Sequence, residues 1–322
     1  MKGYKFLKMF ILLLAAVAIL AFSSNDGLAN QRQQRLSKDL DQVPRTAIIS
    51  AFSEELEAFK AQASIKKTVV LNGRSVYLGV LGGHKVALTL SGESMVNAAM
   101  VTQMLVDRFR IEKIVFTGIA GGVNPSLSIG DVVIPAQWAE YQENLFARET
   151  APDVYTPPSW FQPILPNYGM MFPETVGVTN VDGQPDQETM TLWFPVDPGM
   201  LAVAQQVAGS VELEQCTPEG ICLSEEPIIK AGGNGASGPT FVDNAEYRQY
   251  VWATWSADAL DMESAAVAHV ATVNGVPFIV FRSLSDLAGG GPGENELDVF
   301  FQLAANNSAR VMLSFLNALP GK

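Results

Sequence analysis

Short apolar runs separated by helical patterns constrain the fold of this 322-residue chain more than any other feature. Three of these runs have the length of strands and the apolar character of strands that are buried on both faces, namely Thr46–Ser50, Lys113–Thr117 and Pro277–Arg282. Segments with helical spacing and many small residues lie between them. Strands that alternate with helices predict a mostly parallel, mixed sheet covered by helices on both faces, which is a three-layer α/β/α sandwich.

Local signals mark the ends of several elements within this pattern. Asn72-Gly73 separates two apolar runs and predicts a β-hairpin. Ser53 has the chemistry of a helix N-cap and is followed by two glutamates, which suit the first turn of a helix. Further helices are predicted over Ser94–Phe109, Glu263–Asn274 and about Leu297–Leu319.

The N-terminus has the pattern of a secretory signal peptide over residues 1–29. Three lysines in the first eight residues precede the apolar run Met9–Phe22, and small residues then lead to a cleavage site after Ala29. An uncleaved membrane anchor is the alternative, but the run is short for spanning hydrocarbon. We therefore expect a periplasmic or secreted protein without stable membrane insertion after cleavage. Residues 30–43 are polar and are predicted to be a flexible leader.

The remaining chain, residues 44–320, is predicted to form a single domain with an insertion at about 141–226. That insertion is rich in proline and aromatic residues, so we expect limited regular structure in it. It contains both cysteines, Cys216 and Cys222, with a proline and a glycine between them. A tight turn brings the two thiols together, and an oxidising compartment favours a disulfide between them. Two cysteines do not complete a zinc site, and no metal is expected.

The charge of the chain bears on its partners. The formal net charge is −12 at pH 7. Because neutralising phosphates requires clustered Lys and Arg, we expect no binding to nucleic acid. Small neutral or cationic ligands remain compatible with this balance.

Three acidic motifs stand where predicted strands end: Ser53-Glu54-Glu55, Asp261-Met262-Glu263 and Ser283-Leu284-Ser285-Asp286. Since ligands bind beyond the strand ends of such sheets, the three motifs are expected to meet in one crevice. Carboxyl groups there can protonate a leaving group, activate a water and hold ribose hydroxyls, which suits cleavage of a glycosidic bond. Two alternatives stay open, in which Asp261 and Glu263 are helix-dipole partners and Asp286 is a turn residue.

Two glycine-rich segments follow predicted strands. Gly118–Gly122 allows close approach of a ligand to the backbone, but a tight structural turn explains it equally well. It lacks the spacing of a dinucleotide fingerprint. Gly289–Gly291, just beyond Asp286, is expected to act as the hinge of a lid.

Four collinear motifs are Ile48–Glu55, Thr117–Gly122, Asp261–Ala266 and Arg282–Asp286. Together they resemble the purine nucleoside phosphorylase/uridine phosphorylase superfamily, and the most similar branch is methylthioadenosine/S-adenosylhomocysteine nucleosidase. Their order and spacing match the family from about Thr46 to Leu319 apart from the insertion. The resemblance implies the nucleoside phosphorylase fold, a homodimer, a purine nucleoside as the small-molecule partner and no cofactor.

The resemblance also implies roles for individual residues. Glu55 matches the acid that positions and activates the attacking water, and Asp286 matches the acid that protonates N7 of the departing purine. Glu263 matches the carboxylate that holds the ribose hydroxyls, with Met262 packed on the sugar. Each role suits a reaction in which the sugar becomes cationic while the purine gains electron density.

A further segment resembles the part of the family that binds the base. In Ser237–Val242, the resemblance implies that Phe241 stacks on the purine and that the Val242 backbone bonds its edge. Core packing is the alternative for Phe241. Ile119 and Ser285, which belong to two of the four motifs, are counted with the substrate-binding residues.

The resemblance separates hydrolysis from phosphorolysis. Phe116 stands where the phosphorylases carry a phosphate-binding arginine, and residues 52–59 offer no counterpart of a second one. Phosphate without a guanidinium partner is poorly held, so a purine nucleosidase is expected. A phosphate-dependent phosphorylase and a non-catalytic nucleoside-binding or storage protein are the alternatives. Pro239 replaces the aspartate usual in nucleosidases, and Glu93 adds a charge near the ribose, which leaves the preferred purine open.

Overall fold

A computed structural model describes residues 41–179 and 186–320. The predicted signal peptide and most of the predicted leader lie outside these ranges. The first strand begins at Asp41, so residues 41–43, which were assigned to the end of the leader, have strand geometry. Strand geometry thus continues into polar residues that composition alone assigned to the leader. In these two ranges, no helix is both long and apolar enough to cross a membrane.

The described residues contain eighteen strands, of which twelve form one central sheet. In chain order the strands are β1 (Asp41–Ser50), β2 (Ser64–Leu71), β3 (Arg74–Leu81), β4 (His84–Leu90), β5 (Phe109–Gly122), β6 (Val132–Ile134), β7 (Gln137–Glu140), β8 (Asn144–Phe146), β9 (Arg148–Ala151), β10 (Val154–Thr156), β11 (Met171–Pro173), β12 (Val176–Thr179), β13 (Glu188–Thr191), β14 (Phe194–Pro195), β15 (Ile229–Ala231), β16 (Asn234–Ser237), β17 (Ala257–Asp261) and β18 (Phe278–Asp286).

Six helices accompany these strands in the described ranges. They are α1 (Ser53–Lys60), α2 (Met95–Arg108), α3 (Pro198–Ala208), α4 (Ala245–Trp255), α5 (Ser264–Val273) and α6 (Leu297–Ala318).

The central sheet is mixed, as predicted. Its main order is β14-β7-β16-β17-β5-β1-β4-β3-β2, and β18 pairs with both β5 and β6. Strands β1 and β4, β5 and β18, and β7 and β16 run parallel, whereas β17 runs antiparallel to β5. The hairpin predicted at Asn72-Gly73 joins β2 and β3, with Asn72 in the left-handed region at φ 48°.

Helices cover both faces of the sheet, so the predicted three-layer sandwich is confirmed. Side chains alternate along each strand, and in β1 this places Ala47 and Ile49 in one core and Ile48 in the other. The first core includes buried side chains of α2 and α5. The second includes side chains of α1, α3 and α6. Burial on both faces explains why these strands are continuous apolar runs.

Two element ends differ from their predictions in ways that affect the acidic motifs. The N-cap of α1 is Phe52, not Ser53, and the Glu55 side chain accepts hydrogen bonds from the backbone N–H groups of Ala51 and Phe52. Strand β18 extends to Asp286 because it stays paired with the long strand β5, with Leu284 opposite Ala120. The third acidic motif therefore lies on a strand rather than in a loop.

The region from 141 to 226 has more regular structure than expected. Three two-stranded antiparallel sheets form in it, pairing β8 with β11, β9 with β10 and β12 with β13. Strand β14 joins the central sheet, and helix α3 buries Met200 and Ala204 in the second core. Asp197 caps α3 by accepting a hydrogen bond from Met200 N at 2.8 Å. The structure pairs Cys216 with Cys222 in a disulfide, as predicted.

Candidate active site

The ends of β5, β17 and β18 meet at a cavity of about 530 Å³. Phe52, just before α1, the first turns of α6 and two loops complete its wall. The lining residues are Phe52, Glu93, Ile119, Ala120, Gly121, Thr240, Phe241, Val242, Leu260, Asp261, Met262, Glu263, Ser285, Asp286, Ala288, Leu297, Asp298 and Phe301.

The structure brings the residues singled out in the sequence to this cavity, with one exception. Glu55 is not part of the lining and lies behind the wall. The residues that do line the cavity are Ile119, Phe241, Val242, Met262, Glu263, Ser285 and Asp286. Phe241 is 51% exposed, so it is not held in a packed core.

Glu55 is fixed by backbone groups on three sides. Its Oε2 accepts hydrogen bonds from the N–H groups of Ala51 and Phe52 at 2.9 and 3.1 Å. Its Oε1 accepts one from Ile119 N at 3.1 Å, and Ile119 itself lines the cavity. Burial raises the pKa of Glu55, although the Arg282 charge and these N–H groups oppose the shift.

Arg282 is the functional residue that the sequence reasoning missed. Its Nε lies 2.7 Å from Asp261 Oδ2, and its Nη2 donates to Glu263 Oε2 at 3.2 Å. Its Nη1 donates to the Ile119 carbonyl at 3.1 Å, and its side chain is only 1% exposed. A lone arginine inside an apolar strand was the available signal, because a buried guanidinium requires carboxylate partners.

Phe116, which occupies the position expected for a phosphate-binding arginine, packs against the same guanidinium. The Arg282 Cζ lies 4.4 Å from the centroid of the Phe116 ring, in cation–π geometry. Phe116 is fully buried. The aromatic ring therefore supports the one arginine that the acids share.

Glu263 faces the cavity with its two oxygens bound to different groups. Oε1 accepts a hydrogen bond from Ser94 N at 2.7 Å, and Oε2 accepts the bond from Arg282. Burial raises the pKa of Glu263 to about 7; Arg282 opposes this shift, while the charges of Asp261 and Glu55 add to it. This carboxyl group therefore titrates near neutral pH.

Asp261 serves the local structure. Its carboxylate accepts hydrogen bonds from the backbone of Glu263 and Ser264, both at 3.1 Å, and from the hydroxyls of Ser237 and Ser264. These bonds satisfy the first N–H groups of α5, as the helix-terminus alternative supposed. By holding Arg282 as well, Asp261 ties the start of α5 to strand β18.

Asp286 lies at the end of β18 in a largely desolvated position. Its Oδ1 accepts a hydrogen bond from Ala288 N at 2.8 Å, and its Oδ2 accepts one from Ser285 Oγ at 2.9 Å. Burial raises its pKa, and these hydrogen bonds only partly offset that effect. The group combines a turn-forming bond with the elevated proton affinity that a general acid needs.

An aromatic pair also lines the cavity. Phe52 and Phe301 contact each other edge to face, with ring centroids 5.4 Å apart. They come from the residues before α1 and from the first turns of α6, far apart in the sequence. Isolated aromatic residues gave no sequence signal for this contact. Within the described residues, no group of three or more His, Cys, Asp or Glu is placed to hold a metal ion.

Gly118 is required where Glu55 and Arg282 approach each other. A Cβ at this position would lie 2.5 Å from both Arg282 Nη1 and Glu55 Oε1. No side chain fits at that distance without moving one of the two charged groups. The glycine after β5's apolar run therefore provides close approach, one of the two explanations that its sequence left open.

Comparison with known proteins agrees with this geometry. A family model described as the phosphorylase superfamily matches residues 45–317. The chain belongs to the phosphorylase superfamily. The resemblance inferred from the four motifs is thus confirmed, and the match runs through the region predicted to be an insertion.

Several relatives of this superfamily member are similar over nearly their whole length. The 5′-methylthioadenosine/S-adenosylhomocysteine nucleosidase of Geobacillus thermodenitrificans is 29% identical over 86% of this chain and 98% of its own length. The nucleosidase of the same name from Tolumonas auensis is 29% identical over 85% of this chain and 100% of its own length. The S-adenosylhomocysteine nucleosidase of Streptococcus pyogenes, solved with 5-methylthiotubericidin, is 28% identical with a TM-score of 0.62, covering 87% of this chain and 98% of its own.

Another solved structure supports the fold alone. The futalosine hydrolase of Helicobacter pylori has a TM-score of 0.65 at 22% identity, covering 86% of this chain and 99% of its own. Its sequence is too distant to indicate which nucleoside the present cavity accepts.

Substitution of Gly118 by alanine tests the close approach of the two charged groups. We expect Gly118→Ala to lower turnover on the order of 10²-fold, because a displacement of about 1 Å near reacting groups costs that much. It should also destabilise the fold by about 1–3 kcal/mol through overpacking. Nucleoside cleavage rates and urea unfolding measure the two effects.

Gly209→Ala is the matched control. Gly209 has an ordinary helical backbone at φ −80°, and a Cβ there meets nothing within 4 Å. Unchanged turnover is expected from it, with stability unchanged or raised by about 0.4–1 kcal/mol. Equal behaviour of the two variants would contradict the crowding at Gly118.

Proposed function

We propose that this protein is an exported purine nucleosidase that hydrolyses the N-glycosidic bond of adenine-type nucleosides such as methylthioadenosine or S-adenosylhomocysteine. The observation that carries the proposal is the placement of Asp286 and Glu263 on one cavity, with Glu55 directly behind its wall. The relatives named above are nucleosidases, in agreement with the enzyme class predicted from the sequence.

Asp286 acts as the general acid in this proposal. As the bond between C1′ and N9 breaks, its electron pair moves into the purine, and N7 takes the proton from Asp286. Burial keeps that proton on the carboxyl group at a higher pH than usual. A well-placed general acid accelerates such a step by roughly 10²–10⁴-fold.

Glu263 holds the ribose hydroxyls and stabilises the cationic sugar. Its Oε1 and Oε2 are already oriented by Ser94 N and Arg282, so the carboxylate is pre-positioned. The attraction between this carboxylate and the sugar grows as positive charge develops, which favours the transition state over the bound substrate. Met262 lines the same part of the cavity and packs on the sugar.

Glu55 positions the attacking water. Its Oε1 accepts one backbone N–H, from Ile119, and a carboxylate oxygen has room for a second hydrogen bond. The water donates that bond, adds its oxygen to C1′ and passes a proton to Glu55. Phe241 and the Val242 backbone hold the base, and Ser285 orients Asp286 through its hydroxyl.

The charges around the cavity favour water over phosphate as the nucleophile. Its ionisable lining groups are all carboxylates, namely Glu93, Asp261, Glu263, Asp286 and Asp298. The guanidinium of Arg282 is engaged by Asp261, Glu263 and the Ile119 carbonyl. A phosphate dianion would therefore meet repulsion without a free cationic partner.

Export and dimerisation complete the proposal. The signal peptide pattern supports export. Protein recovered from the periplasm or medium should begin at Asn30, whereas cytoplasmic protein that retains Met1 would contradict export.

The family resemblance supports a homodimer. Val96 and Met100, one turn apart on α2, are 80% and 46% exposed and offer apolar surface for it. A single-chain mass in sedimentation would contradict the dimer.

A substrate panel tests the proposed reaction. Methylthioadenosine, S-adenosylhomocysteine, adenosine and inosine are each incubated with the protein, with and without phosphate. We expect free base and free sugar, released at a rate independent of phosphate. Phosphate-dependent release of a sugar 1-phosphate would identify a phosphorylase, and tight nucleoside binding without cleavage would identify a binding or storage protein.

Replacement of Asp286 tests the general acid. Asp286→Asn should bind the nucleoside with little change and lose turnover by roughly 10²–10⁴-fold, because the amide has no proton to give at that pKa. With an N7-methylated purine riboside, the base already carries a positive charge and needs no proton. The variant's turnover of this substrate should therefore fall far less. Asp107→Asn on the exposed face of α2 is the control, and equal losses on both substrates would remove Asp286 from this role.

A further inference from the structure

The glycine-rich loop after Asp286 is closely packed, not open as a hinge would be. A Cβ on Gly289 would collide with the backbone of Asn244, and one on Gly291 would collide with the Glu296 side chain. A Cβ on Gly290 would lie 2.5 Å from Arg248 Nη1 and 2.8 Å from its Cδ and Cζ. The loop therefore lies directly on side chains and backbone of its neighbours.

Arg248, on α4, contacts both this loop and the end of β5. Its Nε donates a hydrogen bond to the Gly122 carbonyl at 2.8 Å, while its guanidinium lies against Gly290. Gly121, the neighbour of Gly122, lines the cavity, and a Cβ there would lie 3.1 Å from Asp286 Oδ1. The Arg248 side chain thus joins strand β5, which lies beside Asp286, to the Gly289–Gly291 loop, which follows Asp286 in the chain.

The far end of the loop is fixed to the same region. Asn295 Nδ2 donates to Asp243 Oδ1 at 3.0 Å, and the Asn295 side chain also interacts with Asp286. Glu296 adds a negative charge that reaches both Arg248 and Asp286. The Arg248 side chain is half-buried against the glycine-rich loop.

We infer that Arg248 is a positioning residue for Asp286, holding the Gly289–Gly291 loop against the end of β5 so that the carboxyl group stays desolvated and aimed into the cavity. The inference rests on the proposed role of Asp286 as general acid. Arg248 does not line the cavity, so it acts on the reaction only through the loop and the strand.

This role predicts a selective kinetic effect. Arg248→Ala should lower kcat on the order of tenfold and leave KM within about twofold, because the substrate contacts are intact while the acid is misplaced. The loss should nearly vanish on the N7-methylated purine riboside, which needs no proton from Asp286. Arg110→Ala, which removes an exposed arginine at the start of β5, is the control and should match the wild type.

A double-mutant cycle tests the contact itself. Gly290→Ala alone should lower kcat as Arg248→Ala does, because its methyl group meets the guanidinium. In the Arg248→Ala background that methyl group has room, so adding Gly290→Ala should cost less than about twofold. Gly293→Ala, where a Cβ meets nothing within 4 Å, is the control for the added methyl group and should have no effect.

The outcomes separate failure of the inference from failure of the proposed function. Additive effects in the cycle, or a loss that falls on KM instead of kcat, would overturn the positioning role. An equal loss of kcat by Arg248→Ala on the unmethylated nucleoside and on the N7-methylated purine riboside would also overturn it. If the wild-type protein cleaves no nucleoside, the proposed function fails, yet the same cycle measured by thermal unfolding still decides whether Arg248 and Gly290 are coupled.

Discussion

The buried guanidinium of Arg282 is the group on which the candidate site depends. It is shared by Asp261 and Glu263, and its charge also acts on Glu55. One cation does not neutralise three carboxylates in a desolvated place, so some negative charge remains uncompensated. Removal of Arg282 would leave these buried acids without a cationic partner, although their hydrogen bonds to backbone and hydroxyl groups would remain.

The fold supplies that geometry from distant parts of the chain. Parallel pairing of β5 with β18 puts Arg282 opposite Gly118, whose missing side chain lets Glu55 approach. Asp261 then joins the guanidinium to the start of α5 and so orients Glu263. Precision at the cavity therefore comes from strand register and from one close glycine contact.

Environment gives the three acids of the proposal different tasks. Burial raises the pKa of Glu263 to about 7 against the opposing charge of Arg282, and its carboxylate form suits a cationic sugar. Burial raises the pKa of Asp286, and Arg282 is not among the charges that act on it. Glu55 is held by backbone N–H groups behind the wall. Carboxyl groups separated in this way can act as acid, base and electrostatic stabiliser in a single site.

The sequence was sufficient for the sheet and for the acids at its strand ends, because apolar runs and their flanking polar residues are local signals. The importance of Arg282 had no local signal, since its partners lie 19 and 21 residues before it and its packing on Phe116 joins two paired strands that are far apart in the sequence. The position of Glu55 behind Ile119 had no signal either, because that contact joins residues 64 apart.

The regular structure within 141–226 was also missed. Its strands are short, and prolines and aromatic residues obscure the alternation that identifies longer strands. Helix α3 has the apolar spacing of a core helix, but it lies within a segment whose overall composition suggested a loop. Packing against α6 and the central sheet decides its conformation.

Titration of the Glu263 side-chain carboxyl group by carbon-detected NMR tests the central claim most directly. If Glu263 is desolvated beside a guanidinium that it shares with other carboxylates, the midpoint lies at about 7. A midpoint near the ordinary value of 4.5 would show that Glu263 is fully compensated or solvated, and would contradict this account of the site.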